Sequence, residues 1–357
     1  MQNKNNVKLS NGVNKKMINL IRNFFADHQF INKKHIIISM DLDNTLIIRD
    51  KGSNYVNKKI KILLEKLIKE FNIALVPNTG REIVGFSSFK KDVLCVKNAI
   101  LSSGSLIINE DKFFVNKNGL IEKNIVHLFL KAVRNNIIPF IDFSDIDGRK
   151  IFYNEESLLY KNLFFTQNPI EWFYGKLPPR LLIDHFEDYN FNSVFRIEFP
   201  VFSNKYKKLH SKLIQKLECN IVELSKMLSV ETNIFNNYDL KRKVFFSDDY
   251  NRDEVIFARF GKKINFTNKG IGLKKWLEIA NINPEKSFVM HIGDQDCGLI
   301  NDTIIKSSVS SAFIVMVGDR CDLNNPDVDL YLKGGAENNL FLFLNEFYNK
   351  LKNYDQK

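Results

Sequence analysis

The sequence predicts an α/β protein: a doubly wound, Rossmann-like parallel-sheet core interrupted by an inserted α+β unit. Three observations carry this. Short apolar runs rich in β-branched residues, bounded by polar turns, alternate with stretches of helical periodicity along residues 34–117. The alternation resumes along residues 264–357. Between them, residues 118–263 change texture, mixing helical patterns with strands dense in β-branched and aromatic side chains, as a separate folding unit would.

The elements follow in order. Met1 to Asn14 is polar, without the apolar region of a secretory signal, and Met17 to Phe25 is amphipathic. That stretch suits a membrane-surface helix or a transit segment, but residues 1–33 read first as an N-terminal helical extension packed on the core. His35 to Met40 reads as a buried strand. Val56 to Phe71 carries Ile60, Leu63, Leu64, Leu67 and Ile68 at helical spacing with lysines opposite. Ile73 to Val76 is a second buried strand, running into Asn78-Thr79-Gly80-Arg81, a turn that opens a helix. Between Thr45 and Thr79 the reading leaves room for one helix and one strand. Ala99 to Asn109 reads as two short strands broken at Ser102-Ser103-Gly104-Ser105, with Phe113 to Val115 as a hairpin partner. In the inserted unit, helices are expected over Ile121 to Val133 and Lys205 to Leu217, and strands over Ser193 to Phe199, Lys243 to Ser247 and Glu254 to Phe260. The resumed core predicts a helix Lys269 to Ala280, a strand Ser287 to Ile292, a helix from Leu299, a strand Ala312 to Val317 and a closing helix Ala336 to Leu351.

Composition narrows the function. The chain has 357 residues, 44% hydrophobic and 26% charged, an ordinary balance for a globular protein with two cores. A formal charge of +11 admits anionic partners. The basic residues are nevertheless spread out, in short pairs such as Lys207-Lys208 and Lys262-Lys263, and Lys, Asn and Ile dominate from end to end. That argues against nucleic acid as a main partner, and the charge reads as the Lys-, Asn- and Ile-rich composition of an AT-biased genome. No apolar run reaches membrane-spanning length. Cys95, Cys219, Cys297 and Cys321 lie far apart, without paired metal-site spacing, which suits free thiols in a reducing compartment. The expectation is a cytoplasmic protein with no membrane partner.

The chemistry-bearing residues stand where strands end or helices begin. Asp41 and Asp43 emerge together at the C-terminal end of the first strand, where open α/β sheets place their ligands, and Thr45 adds a hydroxyl. Thr79 ends the second strand, where its hydroxyl and the local N–H groups can hold a phosphate oxygen. Lys269 opens a helix, a point charge able to clamp a phosphoryl group. Gly293-Asp294 ends the strand Phe288 to Ile292 with another carboxylate, and Asp296 and Asp302 follow. His291, on that same apolar strand, reads as a satisfied core histidine rather than a ligand, and Cys297 as incidental.

Taken in order, Asp41-Leu42-Asp43-Asn44-Thr45, Asn78-Thr79-Gly80-Arg81, Lys269-Gly270 and Gly293-Asp294 resemble the four signatures of the haloacid dehalogenase superfamily. The Thr-Gly-Arg form and the run Ile100 to Ile107 are similar to its Cof-type sugar phosphatases with a C2-type cap, although Ser103 stands where relatives carry Asn. The extra chain lies between Arg81 and Lys269, which is where a C2 cap is inserted. The resemblance implies a Mg²⁺-dependent phosphomonoester hydrolase acting on a small phosphorylated metabolite, a sugar phosphate or a nucleotide. In it Asp41 is the nucleophile that forms an aspartyl-phosphate, and Asp43 the general acid and base. Thr45, Thr79, Gly80, Arg81 and Lys269 hold the phosphate; Asp41, Asp43, Asp294 and Asp302 hold the metal. Relatives place the second acid four residues after the first, where this chain has Gly298. Asn301-Asp302 resembles the displaced pair, and Asp296 is the rival candidate. A few purine-specific 5′-nucleotidases resemble the Gly-Asp-Gln start with a lengthened loop.

The resemblance leaves other readings open: a phosphomutase using the same two aspartates, a non-catalytic phospholigand-binding protein, and a polynucleotide-end phosphatase. Arg180, Arg196, Arg242 and Arg259 in the cap could meet a second anionic group, and Trp172 and Tyr174 a ring, but each reads first as structural: surface or structural arginines, and an aromatic core cluster. Oligomeric state is not encoded in any of these features.

Overall fold

The structure, a computed structural model, describes residues 3–27, 33–50, 53–92, 96–121, 123–134, 140–146, 148–153, 180–182, 191–200, 244–246, 261–264, 267–294, 302–318, 325–334 and 336–355. The chain forms two compact units: Met1–Gly80 with Phe89–Phe114 and Lys269–Lys357, and Arg81–Ser88 with Val115–Asn268.

The first unit is built on β1 (Ile36–Met40), β4 (Ala74–Pro77), β14 (Phe288–Gly293), β15 (Phe313–Val317) and β16 (Leu330–Leu332). They form one sheet in the order β16-β15-β14-β1-β4, every pairing parallel. This is the parallel α/β core that the alternating pattern predicts. Both faces are covered, which is why the strands read as unbroken apolar runs. Alternate side chains go to opposite layers. Ile37, Val76, Val289, Ile314 and Met316 join Leu273, Trp276 and Leu277 of the helix α5 (Lys269–Ile279), with Ile100 and Ile107 of the hairpin β5 (Ala99–Leu101) and β6 (Leu106–Asn109). On the other side the rings of Phe288 and Phe313 stack with centroids 5.0 Å apart. Phe24 and Phe25 of α1 (Asn3–Asp27) and Phe343 and Phe347 of α7 (Ala336–Asp355) complete that aromatic cluster. The N-terminal helix is therefore part of the core: Ile21, Phe24 and Phe25 are buried, and Arg22 pairs with Glu346 at 2.7 Å.

Helix α2 (Lys58–Phe71) matches its predicted stripe, burying Ile60, Leu63, Leu64 and Leu67. Asn57 caps its start by accepting from Lys59 N, and Asn72, left-handed at φ 51°, ends it. In this unit two short features escaped the sequence reading. A hairpin, β2 (Ile48–Asp50) with β3 (Ser53–Tyr55), occupies the stretch between Thr45 and α2, so that interval holds more than one helix and one strand. The edge strand β16 is the other. α3 (Ile83–Asp92) follows the turn after β4, and β7 (Lys112–Val115) and α6 (Ile305–Ser308) complete the described elements of this unit; the start of the helix expected from Leu299 lies outside the described residues.

The second unit carries a six-stranded sheet in the order β10-β9-β8-β11-β13-β12. Its strands are β8 (Phe140–Asp145), β9 (Gly148–Tyr153), β10 (Arg180–Leu182), β11 (Arg196–Pro200), β12 (Val244–Phe246) and β13 (Gly261–Ile264). Among the described residues, only β10 and β9 of this sheet pair in parallel. Helix α4 (Lys123–Arg134) buries Val126, Phe129, Leu130 and Val133, and the rings of Phe143, Phe152 and Phe191 fill the layer beside them. The helix expected over Lys205 to Leu217 and the strand over Glu254 to Phe260 lie outside the described residues. Among the described residues no helix is long and apolar enough to cross a membrane.

Candidate active site

The carboxyl ends of β1, β4 and β14 meet at one edge of the parallel sheet, the place where the open α/β arrangement leaves backbone free for chemistry. Asp41 follows β1 directly, its N–H donating to Ile292 O at 2.9 Å, so it continues the ladder and its side chain is fixed in direction. The chain then turns back sharply. Leu46 and Ile47 both donate to Leu42 O, and Asn44 takes up a left-handed φ of 61°, which Asn tolerates better than most residues. Asn78 N donates to Met40 O at 2.8 Å and Thr79 N to Ile100 O at 2.9 Å, bringing Thr79, buried, to the same edge.

Lys269 opens α5 and is buried, a rare state for a lysine unless its charge is paired. Its Nζ lies 2.8 Å from Asp41 Oδ1 and 2.6 Å from Asp302 Oδ1. Asp294 follows β14, and ligand oxygens of Asp41, Asp294 and Asp302 lie within 4.8 Å of one another. Thr45 Oγ1 reaches Asp294 Oδ1 at 3.5 Å, the outer limit of a hydrogen bond. Two glycines make this crowding possible. A Cβ on Gly293 would fall 2.2 Å from Asp302 Cγ, and one on Gly270 would fall 2.6 Å from Ile304 O. The glycine of the Gly293-Asp294 pair is thus the space that the Asp302 carboxylate occupies.

Beneath the carboxylates runs a buried polar chain that motif reasoning missed. His291 Nε2 is 2.9 Å from Asp302 Oδ1, and its Nδ1 is 3.0 Å from Ser39 Oγ, the residue paired with it across β1 and β14. Asn78 Nδ2 donates to Ser39 Oγ at 3.3 Å and to the main-chain oxygen of Lys269 at 3.1 Å. His291 is a satisfied core histidine, as expected, but one of its partners belongs to the site. The available signal was two polar residues, Ser39 and His291, standing inside otherwise apolar strands.

The electrostatics follow from burial and crowding. Burial pushes the Asp41 carboxyl well above its ordinary value, and Asp302, Asp294 and Asp43 push the same way against the opposing pull of Lys269. Burial also acts to raise Asp302, but the Lys269 ammonium and the His291 bond outweigh it and hold Asp302 below the usual carboxylate range. Burial acts to lower Lys269; Asp302 and Asp41 overcome that and raise it. Burial lowers His291. Three clustered buried carboxylates against one ammonium leave surplus negative charge on oxygen donors alone, a set that fits a hard divalent cation such as Mg²⁺.

Asp43 and Gly80 stay near this edge, and other predicted residues stand elsewhere. Asp43 is half-buried beside Asp41, close enough to raise it, and Gly80 is half-buried after Thr79. Arg81 begins the second compact unit. Arg180 and Arg196 lie on β10 and β11 of that unit. Arg242, Arg259, Trp172, Tyr174, Asp296 and Cys297 lie outside the described residues. The Ser102-Ser103-Gly104 turn sits against this edge, Ser103 N donating to Thr79 O at 3.0 Å, with Ser102 and Ser103 both left-handed.

Residues 38–302 match the haloacid dehalogenase-like hydrolase family. No curated protein matches the chain. Among solved structures, a hypothetical protein from Geobacillus kaustophilus is similar at 12% identity and TM-score 0.58, over 88% of this chain and 99% of that one. A HAD/COF-like hydrolase from Plasmodium vivax is similar at 14% identity and TM-score 0.56, over 89% and 97%. A sugar phosphatase of HAD subclass IIB is similar at 12% identity and TM-score 0.56, over 88% and 99%. At such identities the likeness is one of fold.

Proposed function

Because the chain belongs to the haloacid dehalogenase-like hydrolases, as the match over residues 38–302 establishes, we propose that it is a phosphomonoesterase working through an aspartyl-phosphate on a small phosphorylated metabolite, a sugar phosphate or a nucleotide. The observation that carries the reading is Lys269, buried and bonded at once to Asp41 and Asp302 beside Asp294.

A phosphate monoester dianion repels an anionic nucleophile, so the site must neutralise charge and hold the reactants in line. Asp41 Oδ1 accepts from Lys269, which leaves its other oxygen to attack phosphorus as the ester oxygen departs. Asp43, two residues on and half-buried, protonates that leaving oxygen and then takes a proton from the water that hydrolyses the acyl-phosphate. Thr45, Thr79 with Gly80, and Lys269 supply the donors for the phosphoryl oxygens. Asp41, Asp294 and the main-chain carbonyl of Asp43 would hold Mg²⁺, with Asp302 beside them; when bound, that ion neutralises phosphoryl charge and favours the ionised Asp41. The inserted stretch, residues 118–263, is the part of the chain proposed to select the leaving group.

The test is phosphate release from a panel of sugar phosphates, nucleotides and p-nitrophenyl phosphate, with Mg²⁺ or chelator, beside Asp41→Asn. Release by the native protein that is lost with chelator and with the variant supports the reading. Release that survives Asp41→Asn overturns it.

A further inference from the structure

We propose that His291, Ser39 and Asn78 are positioning residues that grip Lys269 at both ends, through its ammonium and through its main chain. Followed atom by atom, the hydrogen bonds close a ring. Lys269 Nζ meets Asp302 Oδ1 at 2.6 Å, His291 Nε2 meets the same oxygen at 2.9 Å, and His291 Nδ1 meets Ser39 Oγ at 3.0 Å. Asn78 Nδ2 then joins Ser39 Oγ at 3.3 Å to the carbonyl oxygen of Lys269 at 3.1 Å. Ser39, Asn78, His291 and Asp302 are wholly buried, and Lys269 nearly so.

The donors run in one direction. The Lys269 carbonyl can only accept, which fixes the Asn78 amide with its nitrogen inward. The remaining Asn78 N–H donates to Ser39 Oγ, so the serine hydroxyl proton is free to point at His291 Nδ1. Nδ1 is then the bare nitrogen, and Nε2–H donates to the Asp302 carboxylate. Three elements are tied together in this way: β1 through Ser39, the end of β4 through Asn78, and β14 through His291. Simple mutual satisfaction of buried polar groups does not account for Asn78. Its Oδ1 is buried with no hydrogen-bond partner among the described residues, a penalty that an apolar residue would avoid. The compensation is the position of Lys269, whose start of helix carries the charge that faces Asp41.

The inference deepens the phosphatase reading, and only its kinetic arm rests on that reading. Wild type, His291→Phe, His291→Gln and Ser39→Ala are compared for kcat and KM, with thermal unfolding as a check on folding. His291→Phe is expected to lower kcat about 10- to 100-fold, the usual loss when a partner behind a site residue is removed. KM is expected to stay within about twofold, because the defect is in transition-state alignment. His291→Gln, which keeps an N–H near the Nε2 position, restores part of kcat. Ser39→Ala, the smaller perturbation, lowers kcat about 2- to 10-fold and serves if His291→Phe does not fold. The second arm needs no activity. In ¹⁵N-histidine NMR at neutral pH, the resonance absent from a His291 variant should show a protonated Nε2 and a bare Nδ1, and Ser39→Ala should shift Nδ1. An Nδ1–H tautomer, or an unchanged Nδ1 in Ser39→Ala, overturns the ring. Unchanged kcat in a folded His291→Phe overturns the positioning role. Silence across every substrate counts against the phosphatase reading alone, and the NMR result still decides the ring.

Discussion

Gly293→Ala perturbs the site by a single methyl group. The added Cβ would meet Asp302 Cγ and Oδ2 at 2.2 Å, against the 3.4 Å at which ordinary contact begins. The carboxylate must therefore recede by about 1.2 Å, and β14, paired on both sides, gives it little help. Asp302 Oδ1 now lies 2.6 Å from Lys269 and 2.9 Å from His291. A shift of that size stretches both bonds toward about 4 Å, outside hydrogen-bond range. Breaking a buried ion pair costs about 3–5 kcal/mol, and relaxation of the Lys269 side chain toward Asp41 should return part of it, so the expected loss is about 2–4 kcal/mol. A misplacement of about 1 Å at a catalytic group costs about 10²-fold in rate. Urea unfolding and steady-state phosphate release read the two effects separately. A variant within about 0.5 kcal/mol of wild type and within about threefold in kcat would refute the packing argument, since surface-like tolerance is incompatible with a filled site.

Four further outcomes are expected. Lys269→Met leaves Asp41 and Asp302 buried without their cation; stability should fall by about 3–5 kcal/mol in metal-free urea unfolding, and phosphate release by about 10²-fold or more. Asp302 titrates below its ordinary value when folded, so its contribution is present above the unfolded carboxyl pKa of about 4 and lost as pH falls beneath it. Unfolding measured downward through that region should show a slope that Asp302→Asn flattens. Mg²⁺ should raise the melting temperature of the wild type by relieving the clustered carboxylates, and Asp294→Asn should remove most of that increment. Phe25→Ala should cost about 3–5 kcal/mol in chemical unfolding, because its ring is buried against Phe343 and Phe347.

Much of the core was legible because its signals are local. Buried strands such as Ile36–Met40 and Phe288–Gly293 announce themselves as apolar runs, and Asp41, Asp43, Lys269 and Asp294 stand at their ends or at a helix start. The hairpin β2–β3 and the strand β16 were not, since three-residue strands give no period to read and the first pair carries Arg49, Asp50, Ser53 and Asn54. The ring around Lys269 was hidden for a different reason. Ser39 and His291 become neighbours only through the parallel register of β1 and β14, which pairs positions 252 residues apart. The demand for glycine at position 293 was likewise invisible, because it depends on where the Asp302 side chain, further along the chain, settles. Ser103 shows sequence and conformation at odds: a left-handed position, φ 53°, held by a residue that favours it less than Asn or Gly does.

Under the proposed mechanism Asp41 becomes covalently phosphorylated. The most direct measurement is acid quenching of the protein during turnover of its best substrate, followed by peptide mapping under conditions that preserve acyl-phosphates. A phosphoryl group is expected on the peptide carrying Asp41, present with Mg²⁺ and absent with chelator. Turnover that proceeds with no phosphoryl group on that peptide, or with the group on another residue, would contradict it.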